Sequence, residues 1–534
     1  MRIRRTITTA LAAIAALGTA EPSAAQSASP VQPSWTRGGV CYEVFVRSFY
    51  DSDGDGVGDL RGLTQKLDYV QSLGARCIWL MPVAESPSYH GYDVSDYYRV
   101  DREYGTADDF KHLVAEAHRR GIRVLVDMVL NHASSEHPWF KAALADTASP
   151  YRDLFVWSST DPGTKGPWGQ TVWHRSPVRA EWYYGIFWQG MPDLNYTKPR
   201  AREEAKRVAT FWLKEMGVDG FRLDAVPYLV EENGVVNGAP GTHAFLREYA
   251  AHVRRIAPNA FTVGEVWDSV AAVLPYYPDQ LDAYFSFAIS EDILAAVRTG
   301  SARSLFADYL ALQRTVPAWR WAPFLRNHDQ TRTLTALGGD RARARLAAAL
   351  LLTLPGTPFV YYGEEIGMTG DKPDERLRTP MQWSAAPGLG FTLGTPWETP
   401  SADWATTNVA AQERDSSSLL SLYRRLIHLR ASDAALGSGE LVPLATSDDA
   451  VAAYVRRLGD RVVLVVANLD TLPRIGIAVT SSDGLLRAGR HAARSLLGGP
   501  PGAPLTVGAD RRIRSYVPVD TLAPLQYRVL ALTR

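Results

Sequence analysis

Three acidic residues and one arginine stand at the ends of short apolar runs, and their types suit the cleavage of a glycosidic bond. Asp219 to Val226 reads DGFRLDAV. Arg222 and Asp224 are two residues apart, so on a strand they share one face. Phe221, Leu223, Ala225 and Val226 give them apolar surroundings. A cation beside a carboxylate keeps it ionised, as a nucleophile requires. A plain ion pair at a strand end would look the same in isolation. Glu265 lies in VGEVW, between Val263, Val266 and Trp267. Such apolar neighbours raise a carboxyl pKa and suit a proton donor. Asp329 ends FLRNHD, after Asn327 and His328, and Asp127, Asn131 and His132 fall in VDMVLNH. Two carboxylates flanking one bond, one charged and one protonated, form the apparatus of glycoside hydrolysis.

Such residues need a frame that brings distant run-ends together. GDLRGLTQKLDYVQSLGA carries Leu60, Leu63, Leu67, Val70 and Leu73 at helical spacing, and RCIWLMPV after it reads as a strand. TADDFKHLVAEAHRRG predicts a helix with Thr106 as N-cap and Gly121 as stop, followed by the strand IRVLVDMVLNH. VCYEVFVRSF, VDGFRLDAV, AFTVGEVW, LDAYFSF, APFLRNH and TPFVYYGEE bring the strands to eight. Eight strands alternating with helices predict an α/β fold, a (β/α)8 TIM barrel over 37–132 and 200–434. The polar residues then converge on the carboxyl ends of the strands. Residues 133–199, rich in Trp, Pro and Gly, read as a small domain inserted after strand three. Residues 435–534 alternate apolar and polar and predict a C-terminal antiparallel β-sandwich domain.

Bulk properties narrow the partners. Lys plus Arg and Asp plus Glu both number 57 in 534 residues, so no field favours nucleic acid or an anionic membrane. MRIRR, the apolar run after it and the small residues of PSAA form a secretory signal over 1–25. Its apolar run is shorter than the roughly 20 residues of a membrane span. The expected protein is secreted or periplasmic, without a membrane partner after cleavage, and a monomer. Cys41 and Cys77 are expected as two buried thiols, with one bridge as the alternative in an oxidising compartment.

DMVLNH, GFRLDAV, GEVW and FLRNHD, in this order, resemble the four sequence regions of the α-amylase family of glycoside hydrolases. MPDLN, Met191 to Asn195, is similar to its fifth region. The likeness covers about residues 38 to 430. It implies that Asp224 is the nucleophile, Glu265 the acid/base and Asp329 the transition-state stabiliser. It implies that Tyr92 and Asp93, in HGYDVSDYY, supply a stacking platform and a hydroxyl partner. His132, Arg222 and His328 would contact the sugar or the nucleophile. The family retains anomeric configuration, so carboxyl groups of Asp224 and Glu265 are expected about 5–5.5 Å apart.

DSDGDGVGD places Asp51, Asp53, Asp55 and Asp59 among glycines. Close carboxylates repel one another unless a hard cation gathers them, so a structural calcium ion is expected here, with the Val57 carbonyl as a further ligand. Several family members carry such a loop.

The resemblance implies an α-glucan substrate, starch or maltooligosaccharides. MPDLN, VGEVWD and KPDERLRTPMQW resemble an intermediate group of secreted α-amylases. Exo-acting relatives often carry an arginine four residues before the RTPMQW arginine, closing the pocket against Asp93. Asp374 holds that position here, and Arg376 is displaced by two. An open cleft and endo-cleavage of α-1,4 bonds are therefore expected. α-Glucosidase or transglucosylase action, including a trehalose synthase-like isomerase suggested by GFRLDAVPYL, is the alternative. Tyr184, Phe187 and Trp188 would either stack on glucose rings at the mouth or form the inserted segment's own core.

Overall fold

The computed structural model describes residues 31–277 and 279–534. The secretory segment read over 1–25 lies outside the described residues. Eight short parallel strands make one sheet: β1 Cys41–Val44, β2 Cys77–Leu80, β3 Arg123–Met128, β4 Gly220–Leu223, β5 Phe261–Gly264, β6 Ala283–Phe285, β7 Trp321–Ala322 and β8 Phe359–Tyr361. Their spatial order is β7-β6-β5-β4-β3-β2-β1-β8. Backbone bonds from Thr357 N to Trp321 O (2.8 Å) and from Phe359 N to Pro323 O (2.9 Å) close β8 onto β7. The result is a TIM-like barrel, with helices outside.

The strands are buried on both faces, which is why they read as continuous apolar runs. Cys41, Ile78, Leu125, Phe221, Val263 and Ala283 are all fully buried. Gly220 has φ 152°, and a Cβ there would meet Phe261 O at 1.9 Å. Only glycine lets β4 approach β5 so closely. The helix Ala107–Arg119 begins at Thr106, whose side chain accepts from Asp109 N in a reciprocal capping box. Gly121 follows at φ 74°. The helix expected over GDLRGLTQKLDYVQSLGA is two, Leu60–Gln65 and Leu67–Leu73.

The strands are shorter than the apolar runs suggest. The run ending in APFLRNH contributes only Trp321 and Ala322 to β7, because Pro323 has no N–H for the ladder. Asn327, His328 and Asp329 therefore sit on irregular chain beyond the strand end.

Cys41 and Cys77 are a disulfide, not free thiols. They are register partners on β1 and β2, with Cα atoms 4.4 Å apart. Spacing along the chain gives no register between strands, and register is what pairs them.

Between β3 and the helix Pro199–Lys214 the chain forms a helix, Pro138–Ala145, and a three-stranded antiparallel sheet from Trp157–Ser158, Trp173–Arg175 and Trp182–Tyr184. An isolated bridge between His132 and Asp193 ties its return to the end of β3. The C-terminal unit is a six-stranded antiparallel sheet of β9 Glu440–Pro443, β10 Val451–Leu458, β11 Arg461–Asn468, β12 Gly489–Ser495, β13 Gly502–Val507 and β14 Tyr527–Thr533. Its order is β9-β10-β11-β14-β12-β13, and two short two-stranded ribbons accompany it. Buried Ala452, Tyr454, Val463 and Val465 join the barrel's apolar core, while Val455, Leu464 and Val466 face a separate cluster. That alternation has the period of two expected of a sheet.

Candidate active site

The carboxyl ends of β3, β4 and β5 meet around one guanidinium. Arg222 lies on β4 with its side chain only 1% exposed. Its Nη1 donates to Asp127 Oδ1 at 2.8 Å and to Asp224 Oδ1 at 2.6 Å. Its Nη2 lies 2.7 Å from Glu265 Oε2. One planar group thus spans Asp224 and Glu265, which fixes the two carboxyls side by side. Both keep some exposure, 11% and 12% of the side chain, and Asp224 lines the cleft.

Ala225 continues β4 in the left-handed region, at φ 46°. This costs a non-glycine residue on the order of 1 kcal/mol. The turn aims Ala225 N–H at Glu265 Oε2, 3.1 Å away. Strain, arginine and amide together hold the Asp224–Glu265 pair.

Their environments set different protonation. Burial pushes Glu265 up to about 8, and Asp224 and Asp329 reinforce it against the pull of Arg222. Glu265 is therefore an acid at neutral pH. Asp127 is likewise pushed up to about 7, chiefly by burial. Burial also opposes ionisation of Asp329, but the nearby cations, Arg378 and Arg222 among them, outweigh it and hold that carboxyl below its usual value. Arg378 Nη2 donates to Asp329 Oδ1 at 2.9 Å.

Tyr92 lines the cleft, and His328 lies buried behind it. Their rings stack with centroids 5.6 Å apart at 12°. His132 is buried at the opposite side, its Nε2 2.9 Å from the Tyr92 carbonyl, so it donates there. Asp93 accepts from Ser86 Oγ at 2.8 Å and from Ser88 Oγ, and lies 4.0 Å from His90 Nδ1. His90, Tyr92, His132, Phe187, Trp188, Met191, Asp224, Asp329, Asp374 and Arg378 line one cleft of about 360 Å3. That volume suits a pyranose and its neighbours. Phe187 and Trp188 face the cleft, whereas Tyr184 packs with Val172 and Ile186 inside the inserted segment.

The arrangement brings Asp224, Glu265, Asp329, Arg222, Tyr92, His132 and His328 together, with Asp93 beside them. Three contributors escaped the sequence reading as site residues. Asp127 braces Arg222, Arg378 holds Asp329, and Glu43 lies 2.6 Å from His328 Nδ1. Glu43 is the single charged residue in the apolar run VCYEVF, which was the available signal.

The glycine-rich loop lies apart from this cleft. Oxygens of Asp51, Asp53 and Asp59 all lie within 4.8 Å of one another. Asp51 accepts from Gly54 N and Gly56 N at 2.7 and 2.8 Å, and Asp59 from Gly62 N at 2.7 Å. Asp53 and Asp59 have lone pairs left for a cation, whereas Asp51 already accepts from Asp53 N, Gly54 N, Gly56 N and Thr392 Oγ1 and would have to exchange one of these for the ion. Three hard oxygen donors this close fit calcium chemistry. Asp55 stands outside this group, accepting instead from Val57 N at 2.8 Å.

An α-amylase catalytic-domain model matches residues 43–439. The chain belongs to the α-amylase family. Relatives within that family carry different specificities. Alpha-amylase 3 of Dictyoglomus thermophilum is 39% identical over 445 residues, covering 82% of this chain and 86% of its own. The trehalose synthase/amylase TreS of Mycolicibacterium smegmatis is 38% identical over 512 residues, covering 83% and 86%. Among solved structures, an alpha-amylase from H. orenii superimposes with TM-score 0.80 at 38% identity, over 93% of this chain and all of that one. As a member of the α-amylase family, the chain is a retaining glycoside hydrolase.

Proposed function

We propose that the chain is an exported α-amylase that cleaves internal α-1,4 bonds of starch and maltooligosaccharides. Asp224 attacks the anomeric carbon while Glu265 gives its proton to the departing glycosidic oxygen. A covalent glucosyl-enzyme forms, and the shortened glucan leaves. Glu265, now ionised, takes a proton from water, whose oxygen attacks the same carbon and releases Asp224. Asp329, held by Arg378, stabilises the positive charge that develops in both steps. Tyr92 stacks on the ring, and Asp93, His132 and His328 engage its hydroxyls.

One observation carries the endo reading. No described arginine closes over Asp93, whose partners are Ser86 and Ser88. Arg376 is exposed, while Asp374 forms part of the cleft wall. A cleft left open past the bond allows chain on both sides. Export is supported by the signal pattern of residues 1–25 and by the Cys41–Cys77 bridge, which suits an oxidising compartment. A calcium ion held by Asp51, Asp53 and Asp59 would pin the loop after β1.

Transglucosylation is the second reading, favoured by the near-equal identity to a protein named trehalose synthase/amylase. Product analysis on maltoheptaose, starch and maltose separates the two. Mixed oligosaccharides at early times are expected from the first two substrates. Glucose as the sole early product would overturn endo action, and trehalose formed from maltose would establish the alternative.

A further inference from the structure

His328 presents one nitrogen to Tyr92 and Asp329 and the other to Glu43, and the Glu43 side decides what the first one can do. The ring is fully buried and clamped, stacked on Tyr92 and met edge-on by Trp79 at 5.7 Å. Nε2 lies 2.6 Å from Tyr92 Oη and 3.2 Å from Asp329 Oδ2. Tyr92 has one hydroxyl proton, for which Asp127 Oδ2 at 3.1 Å is an acceptor. Tyr92 Oη is then an acceptor towards Nε2, and the Asp329 carboxylate can only accept. Turning the phenol proton to Nε2 instead would leave Asp329 facing a nitrogen lone pair. Nε2 therefore carries the proton.

Nδ1 faces Glu43 Oε1 at 2.6 Å, a pair with 0% and 2% side-chain exposure. Burial pushes the imidazole down to about 3, so the ring is neutral and holds a single proton, the one on Nε2. Nδ1 is thus a bare lone pair that needs a donor. Glu43 can donate only as a carboxylic acid. Burial raises Glu43 well above its usual value, and Asp329 and Asp127 add to this against Arg222.

We propose that Glu43, as a neutral acid, donates a hydrogen bond to Nδ1 of His328 and so fixes this ring as an Nε2–H donor towards Tyr92 Oη and the Asp329 carboxylate. Glu43 is a positioning residue, since packing sets the ring plane and Glu43 sets the tautomer. It acts through a donor that holds the Tyr92 hydroxyl and the Asp329 carboxylate, two groups that line the cleft, in place for the charge that builds in the transition state. The inference rests on Asp224, Glu265 and Asp329 being the catalytic acids.

Two substitutions separate tautomer control from general stability. Glu43→Gln keeps a donor, its amide N–H, at the same place. Glu43→Leu keeps the volume and leaves Nδ1 unpaired. Hydrolysis of α-D-glucosyl fluoride is the assay, because it occupies only the cleavage subsite. Glu43→Gln is expected to keep kcat within about threefold, and Glu43→Leu to lose about 10²-fold in kcat with KM little changed. Thermal unfolding monitors the fold of each. Full activity in Glu43→Leu would overturn the proposal. So would equal loss in Glu43→Gln, which would mean that a carboxylate is needed. Histidine 15N shifts of the wild-type protein, assigned with His328→Asn, test the tautomer whatever the substrate proves to be. An acceptor-type Nδ1 supports the proposal and a protonated Nδ1 refutes it.

Discussion

Glu265 should make this enzyme lose activity on the alkaline side near pH 8, well above where an ordinary glutamate ionises. The free group titrates near 4.5, and burial lifts it to about 8. If only the protonated form can assist departure of the leaving group, it is about nine-tenths active at pH 7, half at pH 8 and a tenth at pH 9. The same shift couples to folding. Stability tied to neutral Glu265 is complete below about pH 4.5 and is lost as pH rises through about 8. The rise corresponds to at most roughly 4–5 kcal/mol between the two limits. Glu265→Gln cannot ionise, so its unfolding temperature should gain on the wild type from pH 5 to about pH 8 and level off above it. The kinetic assay is kcat/KM on maltoheptaose across that range, beside α-D-glucosyl fluoride. Fluoride leaves with little protonation, so Glu265→Gln should be crippled on the oligosaccharide and far less on the fluoride. An alkaline limb near pH 5, or equal losses on both substrates, would refute the acid role. A gap in unfolding temperature that does not change with pH would refute the burial argument.

Asp224→Asn should fold normally and lose at least about 10⁴-fold in turnover, because an amide cannot attack the anomeric carbon. Circular dichroism beside a starch assay checks both halves, and near-native hydrolysis would remove Asp224 from its role. Cys41→Ser with Cys77→Ser should destabilise by roughly 3–4 kcal/mol, the chain-entropy value for a loop of 36 residues. Denaturant unfolding of that variant, under conditions that leave the wild-type bridge oxidised, measures it. Chelation should lower the melting temperature by several degrees, and calcium at about 100 times its Kd should restore about 2.7 kcal/mol. Asp51→Asn should remove that response. No response in the wild type would exclude a structural ion in the Asp51–Asp59 loop.

Much of the site was legible because each acid travels with local neighbours that set its chemistry. Asp224 comes with Arg222 two residues before it, and Glu265 comes with the buried Val263 and Val266, although Trp267 turns outward onto Phe287. Those relations survive in the fold because adjacent residues cannot move far from one another. Arg378 and Asp127 were less legible as site residues. Arg378 reaches Asp329 across 49 residues, and Asp127 reaches Arg222 across 95. Nothing near either residue announces such a partner. Glu43 and His328 are 285 residues apart and meet only because β1 lies close to the closing edge of the barrel.

The sequence by itself determined the eight parallel strands, since buried strands must be apolar along their whole length. It determined which end carries chemistry, since the polar residues fall where those runs stop. It determined where the three acids stand, at the ends of those runs. Tertiary structure alone decided the Cys41–Cys77 bridge, the brevity of β7, the exclusion of Asp55 from the acidic cluster and the proton partner of His328. Each of these depends on register, closure or a distance across the barrel. Such quantities arise from packing between elements, and no spacing along a single chain encodes them.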